Sequence, residues 1–151
     1  MISFFNPYSE FNQEEEAVVI SAVGEIISDY HLKEEGYINV IFLSDDELLK
    51  MNLQYLGHDY YTDIITFNYS EDIKGLEAEL YISIDRVKEN ADTNKVSFNE
   101  EMIRVIIHGA LHLAGFDDQT DGEKAEMRRL EDQYIESASF HVKQVHEQTK
   151  A

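Results

Sequence analysis

The residues SFNEEMIRVIIHGALHLAG, numbered 97–115, predict the helix around which the rest of the chain is arranged. Ser97 and Glu100 have the spacing of a capping box, which predicts the first turn of a helix. The second half of the segment is apolar on nearly every side, a pattern typical of a helix that runs through the middle of a fold. Gly115 stands where a left-handed residue would end such a helix. The segment therefore predicts a buried central helix.

The segments on either side of this helix alternate between strand-like and helix-like patterns. Short β-branched and aromatic runs predict strands at residues 2–5, 37–43, 64–67 and 80–84. Apolar residues at helical spacing predict helices at residues 13–30, 45 to about 54, 85–94 and from 121 onward. This order predicts an α+β fold with α/β-like alternation. A mixed sheet of about four strands packs against the central helix, with about five helices in a single domain over residues 1–151.

Local signals predict where several of these elements begin and end. Pro7 is expected to end the first strand, and the chain after His141 is expected to fray. The expected N-terminal caps are Asn12, Ser44, Asp85 and Thr120, of which Ser44 and Thr120 open capping boxes. One face of the last helix is expected to be buried through Met127, Leu130, Tyr134 and Ala138.

The composition excludes several classes of protein. There is no cysteine, so disulfides, thiolate zinc sites and cysteine nucleophiles are excluded. The first 17 residues lack the basic start and apolar run of a signal peptide, and no stretch approaches the ~18 apolar residues of a membrane helix. We therefore expect a cytoplasmic protein without a membrane partner. The net charge of −19 argues against nonspecific binding to nucleic acid.

Two histidines in the central helix have the spacing of metal ligands. His108 and His112 lie four residues apart, so they share one helix face. After Gly115 the chain can turn back, and Asp118 can then provide a third ligand, which leaves a fourth position open for water. The alternative is a pair of buried neutral histidines that are hydrogen-bonded to the backbone. We favour one Zn²⁺ or another divalent transition metal, because an unpaired polar ring in so apolar a helix costs ~1–3 kcal/mol.

The same spacing suggests a metalloprotease as a second function. The pattern HxxxHxxGxxD differs at two positions from the metzincin pattern HExxHxxGxxH. Gly109 stands where those proteases have the glutamate that acts as general base. A protease with this sequence would need a different residue as its general base, so we rank this function second.

The whole pattern resembles the signature of a known family. His108-Gly109-x-Leu111-His112-Leu113-x-Gly115-Phe116-Asp117 resembles the motif HGxLHLxGYDH of the YbeY family of metal-dependent endoribonucleases. Residues 62–67 are similar to the family's TDVLSF segment, and Met127-x-x-Leu130-Glu131 matches its last helix. The resemblance covers roughly residues 37 to 135. It implies cleavage of single-stranded RNA, with ribosomal RNA as the substrate and the ribosome or a ribosome-associated protein as the partner; DNA is not expected.

Two departures from the family pattern bear on the site. Asp118 takes the place of the third histidine, and an aspartate is also a zinc ligand. Leu56 stands where the family usually has an arginine, which would suit a phosphate. His58 is the nearby residue that can partly substitute for it.

The resemblance also implies a general base. Asp63 is the first candidate, because the family carries an aspartate there beside the site; the alternative is that Thr62 and Asp63 only begin a strand. Asp117 is expected to be a turn residue or a neighbour of the ligands, and Glu123 to be part of a capping box.

The strongly negative charge must be reconciled with an RNA substrate. Arg86 and Lys88 either edge the groove beside the metal or pair with the surplus of acids. We expect weak intrinsic affinity for RNA, with delivery by the ribosome or a protein partner. A third function also remains open, a ribosome assembly factor in which the metal only holds the fold together.

Overall fold

A computed structural model of the chain describes residues 1–6, 8 and 10–150, with side chains up to residue 145. This part of the chain forms a mixed four-stranded sheet and five α-helices, as predicted. The strands are β1 (Ile2–Phe5), β2 (Tyr37–Leu43), β3 (Ile64–Asn68) and β4 (Glu77–Ser83). The helices are α1 (Gln13–Asp29), α2 (Asp45–Met51), α3 (Ile84–Asn94), α4 (Phe98–Leu113) and α5 (Asp121–Lys150), and a π-helical turn, Asn52–Leu56, follows α2.

The sheet has the strand order β1-β2-β4-β3. β1 and β2 are parallel, as are β2 and β4, while the edge strand β3 runs antiparallel to β4. One face of the sheet carries the core residues Ile38, Val40, Phe42, Leu80 and Ile82, which are almost completely buried. Helices α1, α4 and α5 complete this core. Burial of each such side chain contributes about 1.5–3 kcal/mol to stability.

The central helix α4 lies directly against the sheet, and Gly109 permits this close approach. A Cβ atom at position 109 would lie 2.9 Å from Cδ1 of Ile64 in β3 and 3.2 Å from the methyl groups of Leu80 in β4. Both distances are shorter than ordinary van der Waals contact. Residue 109 therefore faces the sheet, which leaves its neighbour His108 on the side of α4 that is turned toward α5.

The C-terminus of α4 has the predicted glycine cap. Gly115 has a φ of +106°, and its N–H donates to the carbonyl of His112 at 3.0 Å. The N–H of Phe116 donates to the carbonyl of Leu111 at 3.1 Å, which completes a Schellman motif. This sharp turn reverses the chain and brings the residues after it back toward α4.

The capping predictions are mostly confirmed. Reciprocal capping boxes begin α1 at Asn12, α2 at Ser44 and α5 at Thr120. At α4 only half of the box forms, since the Ser97 hydroxyl accepts from the N–H of Glu100.

Two predicted boundaries were wrong, and one predicted helix changes its geometry along its length. The strand predicted at residues 80–84 spans Glu77–Ser83, because β4 pairs with β2 from Glu77 onward. The cap of α3 is therefore Ser83, whose hydroxyl accepts from the N–H of Arg86 at 3.0 Å, and not Asp85. The helix predicted through about Gln54 is α-helical to Met51 and continues as the π-helical turn Asn52–Leu56.

The first strand has its predicted bounds, but the last helix is longer than predicted. β1 ends at Phe5, and the predicted role of Pro7 lies outside the described residues. The chain after His141 was predicted to fray, but α5 continues to Lys150. Val142 packs against the core, and this contact helps to extend the helix past His141. No helix in the described part of the chain is long and apolar enough to span a lipid bilayer.

Candidate metal centre

The structure brings together the three residues that the sequence proposed as metal ligands. His108 and His112 lie one turn apart on α4, with their Nε2 atoms 3.0 Å from each other. After the Gly115 turn, Oδ2 of Asp118 lies 3.2 Å from Nε2 of His108 and 3.6 Å from Nε2 of His112. These three atoms form a compact triangle of electron-pair donors that could hold a metal ion.

The dimensions of this triangle fit a tetrahedral ion. Two ligand atoms that each lie about 2.0–2.1 Å from a tetrahedral zinc ion are roughly 3.3 Å apart. The three distances in the triangle scatter around this value. The side chains of His108, His112 and Asp118 are 25%, 29% and 33% exposed, so the triangle opens to solvent on one side. This arrangement differs from the alternative of sealed histidines that are bonded to backbone carbonyls.

Glu131 in α5 fixes the orientation of the His108 ring. Its Oε2 atom lies 2.7 Å from Nδ1 of His108. An ionised carboxylate only accepts hydrogen bonds, so Nδ1 carries the proton and the lone pair of Nε2 faces His112 and Asp118. Oε1 of Glu131 accepts from Arg104 at 3.0 Å, and the Glu131 side chain is only 6% exposed. The Arg104–Glu131–His108 chain, of which Glu131 is buried, thus orients Nε2 of His108 toward a cation.

The same contacts shift the protonation of His108. Burial lowers the pKa of His108. The hydrogen bond and charge of Glu131, together with the charges of Asp118 and Asp63, raise this pKa by a larger amount, so that it lies above its usual value. A divalent cation that binds at Nε2 must displace any proton there.

Asp63 lies directly before β3, on the wall of the same cavity as His108 and Asp118. Its backbone carbonyl accepts from the N–H of Ser83 at 2.9 Å, which anchors the residue to the end of β4. Burial raises the pKa of the Asp63 carboxyl, and the charge of His108 and nearby backbone N–H groups only partly offset this effect. A carboxyl group with a raised pKa beside the ligand triangle has the properties of a general acid or base.

The cavity beside the triangle has a volume of about 250 Å³. Its described lining contains neither Leu56 nor His58, and His58 instead stacks on Tyr60. Arg86 and Lys88 do not line it either. Arg86 forms ion pairs with Asp45 at 2.9 Å and Glu89 at 3.0 Å, and the Lys88 ammonium lies over the ring of Tyr8. The alternative of pairing with acids therefore holds for Arg86, whereas Lys88 contacts an aromatic ring, and neither residue borders the cavity.

Comparison with known proteins identifies the family of the chain. A family model described as "Endoribonuclease YbeY" matches residues 2–139. The chain belongs to the YbeY family. The "Endoribonuclease YbeY" of Flavobacterium psychrophilum is 47% identical over 146 residues, covering 95% of this chain and 99% of that one. The protein of the same name from Amoebophilus asiaticus is 52% identical over 98 residues, covering 65% of this chain and 67% of that one.

A solved structure also resembles the chain over most of its length. The solution structure of TM1509 from Thermotoga maritima aligns with a TM-score of 0.66 at 29% identity. The alignment covers 95% of this chain and 93% of that chain. The predicted fold and the predicted YbeY resemblance are therefore both confirmed.

The YbeY fold also argues against the metalloprotease alternative. The position of the protease glutamate is occupied by Gly109, which faces Ile64 and Leu80 of the sheet. The Cβ atom of a glutamate at this position would already lie too close to Ile64 and Leu80. The packing of α4 against the sheet, and not only the residue type, therefore disfavours a glutamate there.

Several residues around the ligand triangle were difficult to assign to the site from the sequence alone. The YbeY pattern drew attention to Glu131, but not to its hydrogen bond with His108. Lys124, Arg128 and Glu131 line the cavity together because they recur at positions i, i+4 and i+7 of α5. This spacing is visible in the sequence, but which face of α5 meets α4 is not. Asp117 is an exposed residue of the loop that follows the Gly115 turn, and Glu123 forms the capping box, as predicted.

Replacement of Glu131 by glutamine tests its effect on His108. The amide keeps the size of the side chain but loses the charge that holds the proton on Nδ1. We expect zinc affinity to fall about 10- to 100-fold, the usual cost of losing a hydrogen-bond partner of a metal-bound histidine. Competition with a chromogenic chelator measures this affinity. Glu136→Gln, an exposed position further along α5, is the matched control. Equal affinities in the two variants would contradict the role of Glu131.

Proposed function

We propose that this chain is a zinc-dependent endoribonuclease that hydrolyses phosphodiester bonds in single-stranded RNA during the maturation of ribosomal RNA in the cytoplasm. Membership of the YbeY family supports an endoribonuclease, which is a hydrolase. The observation that carries the zinc dependence is the solvent-open triangle of His108, His112 and Asp118.

Each residue of the site has a specific part in this proposal. His108, His112 and Asp118 would hold the ion, which when bound supplies a Lewis acid and acidifies a water molecule. Glu131 keeps the proton of His108 on Nδ1, so that Nε2 remains a ligand. Asp63 accepts a proton from the attacking water, since its raised pKa brings it closer to neutral pH. The apolar inner side of α4 keeps this arrangement rigid.

The charge of the protein indicates how RNA reaches the site. A net charge of −19 repels a polyanion over most of the surface. We therefore propose that the free protein binds RNA weakly and that the ribosome or a ribosome-associated protein delivers the substrate. DNA is not expected as a substrate, and no membrane partner is required.

Cleavage assays with and without chelator test this function. The zinc-loaded protein is expected to cut labelled single-stranded RNA and to leave duplex RNA, single-stranded DNA and casein intact. Treatment with a chelator should abolish cleavage, and added zinc should restore it. Hydrolysis of casein instead of RNA would support the protease alternative and contradict the proposal.

The third alternative, a metal that only holds the fold together, makes a different prediction. A structural zinc ion contributes folding energy, so its removal would unfold the protein. We expect the chelated protein to stay folded, because the core formed by α1, α4, α5 and the sheet does not depend on the triangle. Circular dichroism on the same chelated samples measures this. Unfolding on chelation, with no cleavage by the loaded protein, would favour the structural alternative.

A further inference from the structure

The wall of the cavity that α5 forms carries two cationic side chains that the ligand triangle does not use. Lys124 and Arg128 lie four residues apart, so they share the face of α5 that is turned toward the cavity. Asp118 and His108 line the same cavity. The two cations therefore border the space in which a substrate at the triangle would have to lie.

These two cations have no partner within the described part of the chain. Among the residues whose side chains the structure describes, no carboxylate lies within 4.0 Å of either, although acids outnumber bases by 31 to 12 in the sequence. The third cation of the cavity, Arg104, is different, because it is held by Glu131 at 3.0 Å and Asp132 at 2.7 Å. Arg129, the neighbour of Arg128, is also paired, with Glu126. Of the three cations Lys124, Arg128 and Arg129, only the two that line the cavity therefore remain available to a ligand.

The stability of α5 gives no reason for a cation at position 124. Lys124 follows directly after the first turn, where the positive end of the helix dipole disfavours an ammonium group. The acids of that turn, Asp121 and Glu123, suit the dipole by themselves. Both cationic side chains are exposed, so they can reach a ligand at the mouth of the cavity.

We propose that Lys124 and Arg128 bind the phosphodiester that neighbours the scissile one in the RNA strand, and so position the strand across the ligand triangle. This inference rests on the proposed function and adds the contacts that hold the substrate. It accounts for RNA binding by a chain that has Leu56 in place of an arginine, because the phosphate contact comes from α5. The ammonium and guanidinium groups recognise the backbone and not the base, so they confer no sequence preference.

The double variant Lys124→Gln/Arg128→Gln tests this inference in the zinc-loaded full chain. Each phosphate contact to a single strand contributes about 0.7 to the slope of log affinity against log salt concentration, so the loss of two should reduce the slope by about 1.4. At low salt we expect KM for single-stranded RNA to rise about tenfold or more, with kcat nearly unchanged. Zinc content and the thermal midpoint should equal those of the wild type.

The control variant Lys33→Gln/Arg129→Gln removes the same charges from residues that do not line the cavity. It should keep the wild-type KM and salt slope. If the wild type cleaves RNA and the two double variants have equal KM values and slopes, this inference is overturned while the proposed function stands. If the zinc-loaded wild type cleaves no RNA, both are overturned.

Discussion

Replacement of His112 by alanine is expected to abolish cleavage and to lower zinc affinity by more than about 100-fold. Loss of a hydrogen-bond partner behind a metal ligand already costs about 10- to 100-fold, and loss of a ligand itself costs more. His112 is the better of the two histidines to replace, because His108 also bonds the buried Glu131. The ring of His112 is partly exposed, so its removal should leave the core intact.

Zinc content after gel filtration and chelator competition measure the effect of His112→Ala. The matched control is His141→Ala, since His141 is exposed on α5 and does not belong to the ligand triangle. We expect the control to bind one zinc ion and to cut RNA as the wild type does. Full zinc occupancy of His112→Ala would contradict the proposed ligand set.

The third ligand can be tested separately at position 118. Asp118→His should retain zinc, because an imidazole also coordinates zinc at about 2.0–2.1 Å. Asp118→Ala should lose most of the bound zinc, since it leaves two ligands. If Asp118→Ala kept a full zinc content, a different residue would have to be the third ligand.

The sequence predicted those features that depend on neighbours along the chain. The i,i+4 spacing of His108 and His112 and the glycine cap at Gly115 are local, and together they placed Asp118 beside the two rings. Capping boxes and alternating apolar patterns similarly gave most of the helices and strands. Errors arose where long-range pairing extends an element, as at Glu77, which is in β4 because β2 lies beside it.

The residues that surround the ligand triangle come from elements that are distant in the sequence. Local sequence patterns therefore could not predict them. The contact between Glu131 and His108 joins residues 23 positions apart, and it exists only because α5 packs against α4. Arg86 lies close to a predicted strand in the sequence, yet it is paired with Asp45, 41 positions away. Arg86 and Lys88, for which the sequence left a place at the groove open, are therefore engaged elsewhere, while Lys124 and Arg128 line the cavity.

Asp63 is the residue whose replacement should separate chemistry from metal binding. Asp63→Asn keeps the size of the side chain but removes the group that accepts a proton. General base catalysis contributes about 10²- to 10⁴-fold, so we expect kcat for RNA cleavage to fall by that factor. Zinc content should be unchanged, because Asp63 is not part of the triangle of His108, His112 and Asp118.

A matched control and a zinc titration complete the test of Asp63. Asp92→Asn makes the same change of charge at an exposed position of α3, and it should retain wild-type kcat. Since burial raises the pKa of Asp63, the neutral amide should be tolerated there, and the thermal midpoint of Asp63→Asn should be no lower than that of the wild type at neutral pH. Loss of zinc from Asp63→Asn would mean that Asp63 is itself a ligand. Wild-type kcat with full zinc content would mean that the base is another group, and Asp63 would then serve only to begin β3.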